Sequence, residues 1–127
     1  MKNEIVEEWF ERGKHDLDAA RIVMEEKGYP DVIMMLLHQA LEKYIKGHLI
    51  MQGWKLKKIH DLETLFTEAG KHDKIFAKHL DLGRILTAYY YENRYPPGPI
   101  PGINKKKIRT IYSTTLKIIK LFIKKHS

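Results

Sequence analysis

Apolar residues recur along the chain at the spacing of amphipathic helices. Between Asn3 and Lys27 they return every three or four residues, acidic side chains fill the first turn, and Gly28 follows as a stop. A second run, from Pro30 to about Gln52, is apolar over more than half of its circumference and predicts the central helix. No segment alternates with a period of two, so no strand is predicted.

A short basic linker, residues 53–59, separates the second helix from a third. The third helix is predicted to start near Asp61, a good N-cap residue, and to end before Gly70. A fourth helix is predicted over about residues 73–92, and Gly83 is the residue at which it could break.

The fifth predicted helix follows a proline-rich segment. Four prolines and two glycines in residues 94–102 exclude a helix or a central strand there. Asn104 then caps a helix from Lys105 to about Lys125, whose apolar and basic residues fall on opposite arcs. The apolar arc comprises Ile108, Ile111, Tyr112, Thr115, Ile118, Ile119 and Phe122. The basic arc comprises Lys106, Arg109, Lys117, Lys120 and Lys124.

Five helical segments without a strand predict an all-α protein, an up-and-down bundle of four or five helices. The 127 residues suit one domain, 1–127. The chain has no cysteine, which excludes a disulfide scaffold and thiolate zinc sites and fits a reducing compartment. Its start lacks the features of a signal peptide, and the longest apolar run, 32–37, is far shorter than the ~20 residues of a membrane span. We therefore expect a cytoplasmic protein that contacts no membrane.

The net charge of +7 comes from the C-terminal segment of the chain and not from the chain as a whole. Residues 104–127 contain eight Lys and Arg and no Asp or Glu, whereas residues 1–103 are nearly neutral. An exposed basic arc could bind the phosphates of a nucleic acid, or it could only keep an exposed helix soluble. The candidate nucleic-acid patch is Lys106, Arg109, Lys117 and Lys120.

A polar stripe interrupts the otherwise apolar second helix. Pairs at i, i+4, such as His38 with Glu42 and Glu42 with Lys46, would suit an exposed stripe. On so apolar a helix, the same stripe could instead face a groove or a partner. The residues of this stripe are His38, Gln39, Glu42, Lys43 and Lys46.

Three histidines directly precede an aspartate, which suggests a metal-dependent phosphohydrolase. Capping alone explains an Asp at a helix start, however, and the Glu-x-x-His signature of di-iron bundles is absent. We therefore predict no metal and no cofactor. His60 either packs beneath the second helix or points into a groove with His38 and Arg94. The three doublets are His15-Asp16, His60-Asp61 and His72-Asp73.

Taken together, these segments resemble the HEPN domain family over about residues 5–125. One block of similarity, in the second helix, is His38-Gln39-Ala40-x-Glu42-Lys43-x-x-Lys46. The others are Trp9 with Asp16-Leu17-x-x-Ala20, Lys58-Ile59-His60-Asp61-Leu62, and Asn93-Arg94-Tyr95-Pro96. Their order and spacing make the combination specific, although each block alone is weak.

The resemblance implies a helical bundle, usually a homodimer, with a link to nucleotides or RNA. Stand-alone HEPN proteins are often encoded beside a minimal nucleotidyltransferase, with which they form a complex resembling a toxin–antitoxin pair. Many relatives are metal-independent ribonucleases that use Arg-x(4–6)-His. In this sequence no arginine has a histidine five to seven positions later; after Arg94 those positions hold Pro99, Ile100 and Pro101.

Because the Arg-x(4–6)-His motif is absent, two functions remain to be considered. The first is a binding module without catalysis, a companion of a nucleotidyltransferase. Its candidate ligand-binding residues are Gln39, Glu42, Lys43, Lys46, Asp61, Arg94 and Tyr95. The alternative is an endoribonuclease with a rearranged site, in which His60 or His38 transfers the proton and Arg94 stabilises the phosphate. The missing nuclease motif favours the binding module.

Overall fold

The computed structural model describes residues 3–92 and 104–126, and of residues 89–92 only the helical backbone. The described residues form five α-helices and one 3₁₀ segment, with no strand among them, so the predicted all-α class and helical bundle are confirmed. The elements are α1 (Glu4–Glu25), α2 (Pro30–Met51), α3 (Leu62–His72), the 3₁₀ segment (Lys74–His79), α4 (Leu80–Glu92) and α5 (Lys105–Lys125).

Helices α1 and α2 form an antiparallel hairpin and make the most extensive helix pair in the fold. The side chain of Asn3 caps α1, as predicted, by accepting from the backbone N–H groups of Ile5 and Val6. Gly47 lets the helices approach closely, because a Cβ there would lie 2.7 Å from Cε1 of Phe10. Helix α2 is central: it packs against α1, α3, α4 and α5, and most of its residues are buried.

In the middle of the chain, the observed helix bounds differ from the predicted ones. Helix α3 continues through Gly70 to His72. The predicted fourth helix is divided between His79 and Leu80, where the 3₁₀ segment meets α4, and not at Gly83. Gly83 is buried inside α4, and a Cβ there would lie 3.0 Å from the Phe66 ring. This glycine therefore allows close packing of α4 on α3 and does not interrupt the helix.

Helix α5 matches its prediction. The Asn104 side chain caps it by accepting from the Lys107 N–H, and its apolar arc packs into the core with only Tyr112 partly exposed. The rings of Phe122 and Phe76 stack in parallel, with centroids 4.3 Å apart, so α5 also contacts the 3₁₀ segment. In the part of the chain that the structure describes, no helix is long and apolar enough to cross a membrane.

Candidate functional site

The polar stripe of α2 meets the start of α3 at one carboxylate, that of Glu42. Its Oε2 accepts from Nζ of Lys46 at 3.0 Å and from Nδ1 of His60 at 2.9 Å. Its Oε1 lies 3.7 Å from Nδ1 of His38, one turn earlier. We call His38, Glu42, Lys46 and His60 the Glu42 cluster.

Lys46 is the deepest cation of the cluster, with only 4% of its side chain exposed. Besides its ion pair with Glu42, its Nζ lies 5.9 Å from the ring centroid of Trp9 on α1. A buried ammonium needs such partners because desolvation strongly disfavours an unpaired charge. The predicted pairs of His38 and Lys46 with Glu42 both form, but they face the bundle interior and not solvent.

His38 is fully buried. Burial lowers its pKa from 6.5 to about 4, and the charge of Glu42 and a hydrogen bond with the backbone of His60 oppose this shift only in part. Nε2 of His38 also lies 3.5 Å from the Thr87 hydroxyl of α4. His38 is therefore neutral near pH 7 and packed in the interior.

The start of α3 holds His60 at the surface, with 52% of its side chain exposed. Asp61 is the N-cap of α3, as predicted, and accepts from the N–H of Glu63 and the hydroxyl of Thr64. The next N–H, that of Leu62, donates to the Thr87 hydroxyl at 3.1 Å. Because Glu42 orients Nδ1 of His60 inward, the other imidazole nitrogen is directed away from this carboxylate.

The remaining candidate ligand residues do not all join this cluster. Lys43 turns towards α1 and forms an ion pair with Asp16 at 2.5 Å, while Gln39 is half-buried. Arg94 and Tyr95 lie outside the described residues. Thr87 could not be recognised as a site residue from the sequence, because a single threonine in an apolar helix has no distinctive spacing.

Two of the three His-Asp doublets have structural roles away from the Glu42 cluster. His15 pairs with Glu11 on the surface of α1, at 3.2 Å. Asp73 caps the 3₁₀ segment through the N–H of Ile75 and forms an ion pair with Lys125. Within residues 3–92 and 104–126, no three His, Asp or Glu side chains are grouped as a metal site would require.

The cations divide into two groups according to their partners. On α1, α2 and α4 the basic residues form ion pairs, such as Arg12 with Glu8, Lys43 with Asp16 and Arg84 with Glu63. The four residues of the candidate nucleic-acid patch are exposed, as predicted, and no acidic side chain of the described residues pairs with them. A shallow groove of about 560 Å³ runs beside Lys106, Arg109 and Lys117, lined also by hydroxyl groups of α5.

Comparisons with known proteins agree with this architecture. A model of the HEPN domain matches residues 6–126. A crystal structure described as that of an archaeal HEPN homologue is similar to the chain with a TM-score of 0.75, at 24% identity and covering 100% of both chains. No curated protein matches the chain. At this identity the structural similarity bears on the fold alone, whereas the family model spans nearly the whole sequence. The chain belongs to the HEPN domain family.

Proposed function

We propose that this HEPN domain is a nucleotide- or RNA-binding module without nuclease activity, the companion of a minimal nucleotidyltransferase in a toxin–antitoxin-like pair. The observation that carries the proposal is a patch of exposed cations on α5, Lys106, Arg109, Lys117 and Lys120. Among the residues that the structure describes, no acidic side chain pairs with them, whereas the other helices pair most of their cations. Unpaired Lys and Arg side chains are suited to phosphate because no internal ion pair has to be broken.

The Glu42 cluster supports binding more than catalysis. His38 is buried and neutral, and Lys46 is already neutralised by Glu42, so neither is available to a bound substrate. His60 and the exposed lysines of the preceding linker, Lys55 and Lys58, are the accessible groups at this end of α3. In this proposal they contact a phosphate group, together with Arg94 and Tyr95.

Calorimetric titration of the protein with ATP, GTP and a short RNA at low salt tests binding. Lys117→Glu/Lys120→Glu should weaken RNA affinity and reduce its salt dependence, by roughly 0.7–0.9 in the log–log slope for each lost phosphate contact. Lys74→Glu/Lys78→Glu, the same charge change on the exposed 3₁₀ segment, is the matched control and should bind RNA as the parent does. Equal losses in both variants would mean that only net charge matters.

Partnership with a nucleotidyltransferase is tested separately. The protein should co-purify with the product of a neighbouring nucleotidyltransferase gene when the two are expressed together. If no ligand binds at low salt and no such complex forms, the proposal is wrong.

The contact between Glu42 and His60 favours a second candidate, a metal-independent endoribonuclease. A carboxylate that fixes Nδ1–H leaves Nε2 free to accept a proton from a ribose 2′-hydroxyl, the step that starts RNA cleavage without metal. Incubation of RNA in EDTA decides: cleavage by the parent that is lost in both His60→Ala and Arg94→Ala would support the enzyme. Intact RNA at micromolar protein would eliminate it.

We also propose a homodimer, as the family resemblance implies. We expect the contact surface to come from the central and first helices: α1 exposes Ile5 and Ile22, and α2, although mostly buried, exposes Met51. Sedimentation at micromolar concentration should give a species of twice the chain mass of 15.0 kDa. A monomer alone would refute the dimer.

A further inference from the structure

A cavity of about 640 Å³ lies between the turn that joins α1 to α2 and the first turn of α5. This volume falls within the range of small-molecule sites, roughly 300–1,000 Å³. Its apolar lining comes from three helices: Met24 of α1, Ile33 of α2 and Ile108 of α5. Pro30 is twelve residues before Glu42 on α2, about 18 Å at the rise of an α-helix, so this cavity is separate from the Glu42 cluster.

Three cations line the same cavity: Lys27, Lys105 and Arg109. All three are exposed, and none forms an ion pair with an acidic side chain of the described residues. The acidic residue of the lining, Glu25, already forms an ion pair with Arg21 at 3.3 Å. The cavity therefore combines an apolar interior with uncompensated positive charge.

The start of α5 departs from the charge pattern of the other helices. Each of the other four α-helices has an acidic residue in its first turn, as the helix dipole favours. The first turn of α5 has none and begins with three consecutive lysines. The Asn104 side chain satisfies only the Lys107 N–H. Positive side chains and the positive end of a helix dipole thus coincide at the cavity, an arrangement that an anion would stabilise.

We propose that this cavity binds an organic phosphate monoester, with its apolar body against Met24, Ile33 and Ile108 and its phosphate between Lys27, Lys105 and Arg109. The number of unpaired cations selects a doubly charged head group over a carboxylate, and the apolar lining selects an organic phosphate over inorganic phosphate. The proposed site is distinct from the Glu42 cluster and from the linker before α3, but it shares Arg109 with the candidate nucleic-acid patch on which the proposed function rests.

Isothermal titration calorimetry with hexyl phosphate tests the proposal on the full chain. We expect hexyl phosphate to bind at least about tenfold more tightly than inorganic phosphate or heptanoate, a ratio that corresponds to one decade in Kd. Equal affinity for inorganic phosphate would show that the apolar lining contributes nothing and would overturn the proposal. Equal affinity for heptanoate would overturn the choice of phosphate.

Two variants locate the site. Met24→Trp fills the cavity. Lys27→Glu/Lys105→Glu reverses its charge and keeps all four residues of the candidate nucleic-acid patch, although Lys105 also lines the groove beside them. Each should weaken hexyl phosphate binding by about tenfold or more, whereas Lys74→Glu/Lys78→Glu should leave it unchanged. If Met24→Trp unfolds the protein, the charge-reversal variant still decides. Unchanged affinity in a folded variant would place the ligand elsewhere and refute the proposal.

Discussion

The imidazole of His48, on α2, is hydrogen-bonded to that of His126, at the C-cap of α5, with 2.7 Å between Nδ1 and Nε2. His48 is 1% exposed and lies against the rings of Phe76 and Phe122. A hydrogen bond between two imidazole nitrogens needs one N–H donor and one unprotonated acceptor. If both rings were fully protonated, two donors would face each other and the bond would be lost. The contact joins the end of α5 to the central helix only while this pair is not fully protonated.

Acid should therefore destabilise the protein between about pH 6.5 and pH 4. Burial, the positive charges of His126, His72 and Lys125, and the opposing charge of Asp73 together lower the pKa of His48 to about 4. In this window the unfolded chain binds a proton that the folded chain does not, so the free energy of unfolding falls as the pH falls. The loss from His48 should be about 2–3 kcal/mol, measured by urea unfolding at pH 7 and at pH 4.5.

The control for this prediction is the replacement of one histidine at a time. His48→Phe keeps an aromatic ring at the site but cannot titrate. Its free energy of unfolding should therefore fall less between pH 7 and pH 4.5 than that of the parent. His15→Gln changes an exposed residue of α1, and its free energy of unfolding should fall with pH as much as that of the parent. Equal pH dependence in all three proteins would refute the assignment to His48.

The ion pair of Glu42 and Lys46 should show strong energetic coupling. Glu42→Gln leaves Lys46 buried without its anion and should destabilise the fold by about 3–5 kcal/mol. Lys46→Met combined with Glu42→Gln should cost much less than the sum of the single changes, since neither charge then remains unpaired. Denaturant unfolding of the four proteins measures this, and simple additivity would contradict the coupling.

Gly47→Ala should separate α1 from α2. The added Cβ would meet Cε1 of Phe10 at 2.7 Å and Cβ of Trp9 at 3.1 Å, so the helices must shift. We expect a destabilisation of about 1–3 kcal/mol, even though alanine is the better helix former. Thermal unfolding checks this, and a stabilised variant would mean that the hairpin has room to adjust.

Asp61→Ala should cost about 0.5–2 kcal/mol of stability, because α3 loses the acceptor of the Glu63 N–H. Asp61→Asn retains a side-chain oxygen and should recover most of the loss. Unfolding by urea distinguishes the three proteins. If the Ala and Asn variants are equally destabilised, the charge of Asp61 matters more than its cap.

The helices could be predicted from sequence where one periodic run was enclosed by clear start and stop residues. Asn3 and Asn104 identified the starts of α1 and α5 because N-capping is a local interaction. The break before α4 could not be located in this way. Gly83 is a helix breaker by local preference, but its contact with Phe66 depends on how α4 packs on α3, which no short sequence window contains.

The sequence predicts which α2 residues of the Glu42 cluster pair with one another, but not that they face the interior of the bundle. Spacing paired His38 and Lys46 with Glu42, whereas their burial depends on other helices: Trp9 of α1 lies against Lys46, and Thr87 of α4 lies beside His38. His48 and His126 are 78 positions apart in the sequence, and no local pattern indicates that they pair. Contacts of this kind follow from the fold and not from any local pattern.

The contact between Lys46 and Trp9 gives the molecule a built-in optical probe. The chain has two tryptophans, and only Trp9 lies under a cation of the Glu42 cluster. Since the ammonium lies against the indole ring, any change in the Lys46–Glu42 pair, such as Glu42→Gln, should alter the emission of Trp9. With Trp54→Phe, the remaining tryptophan fluorescence would come from Trp9 alone, without a label.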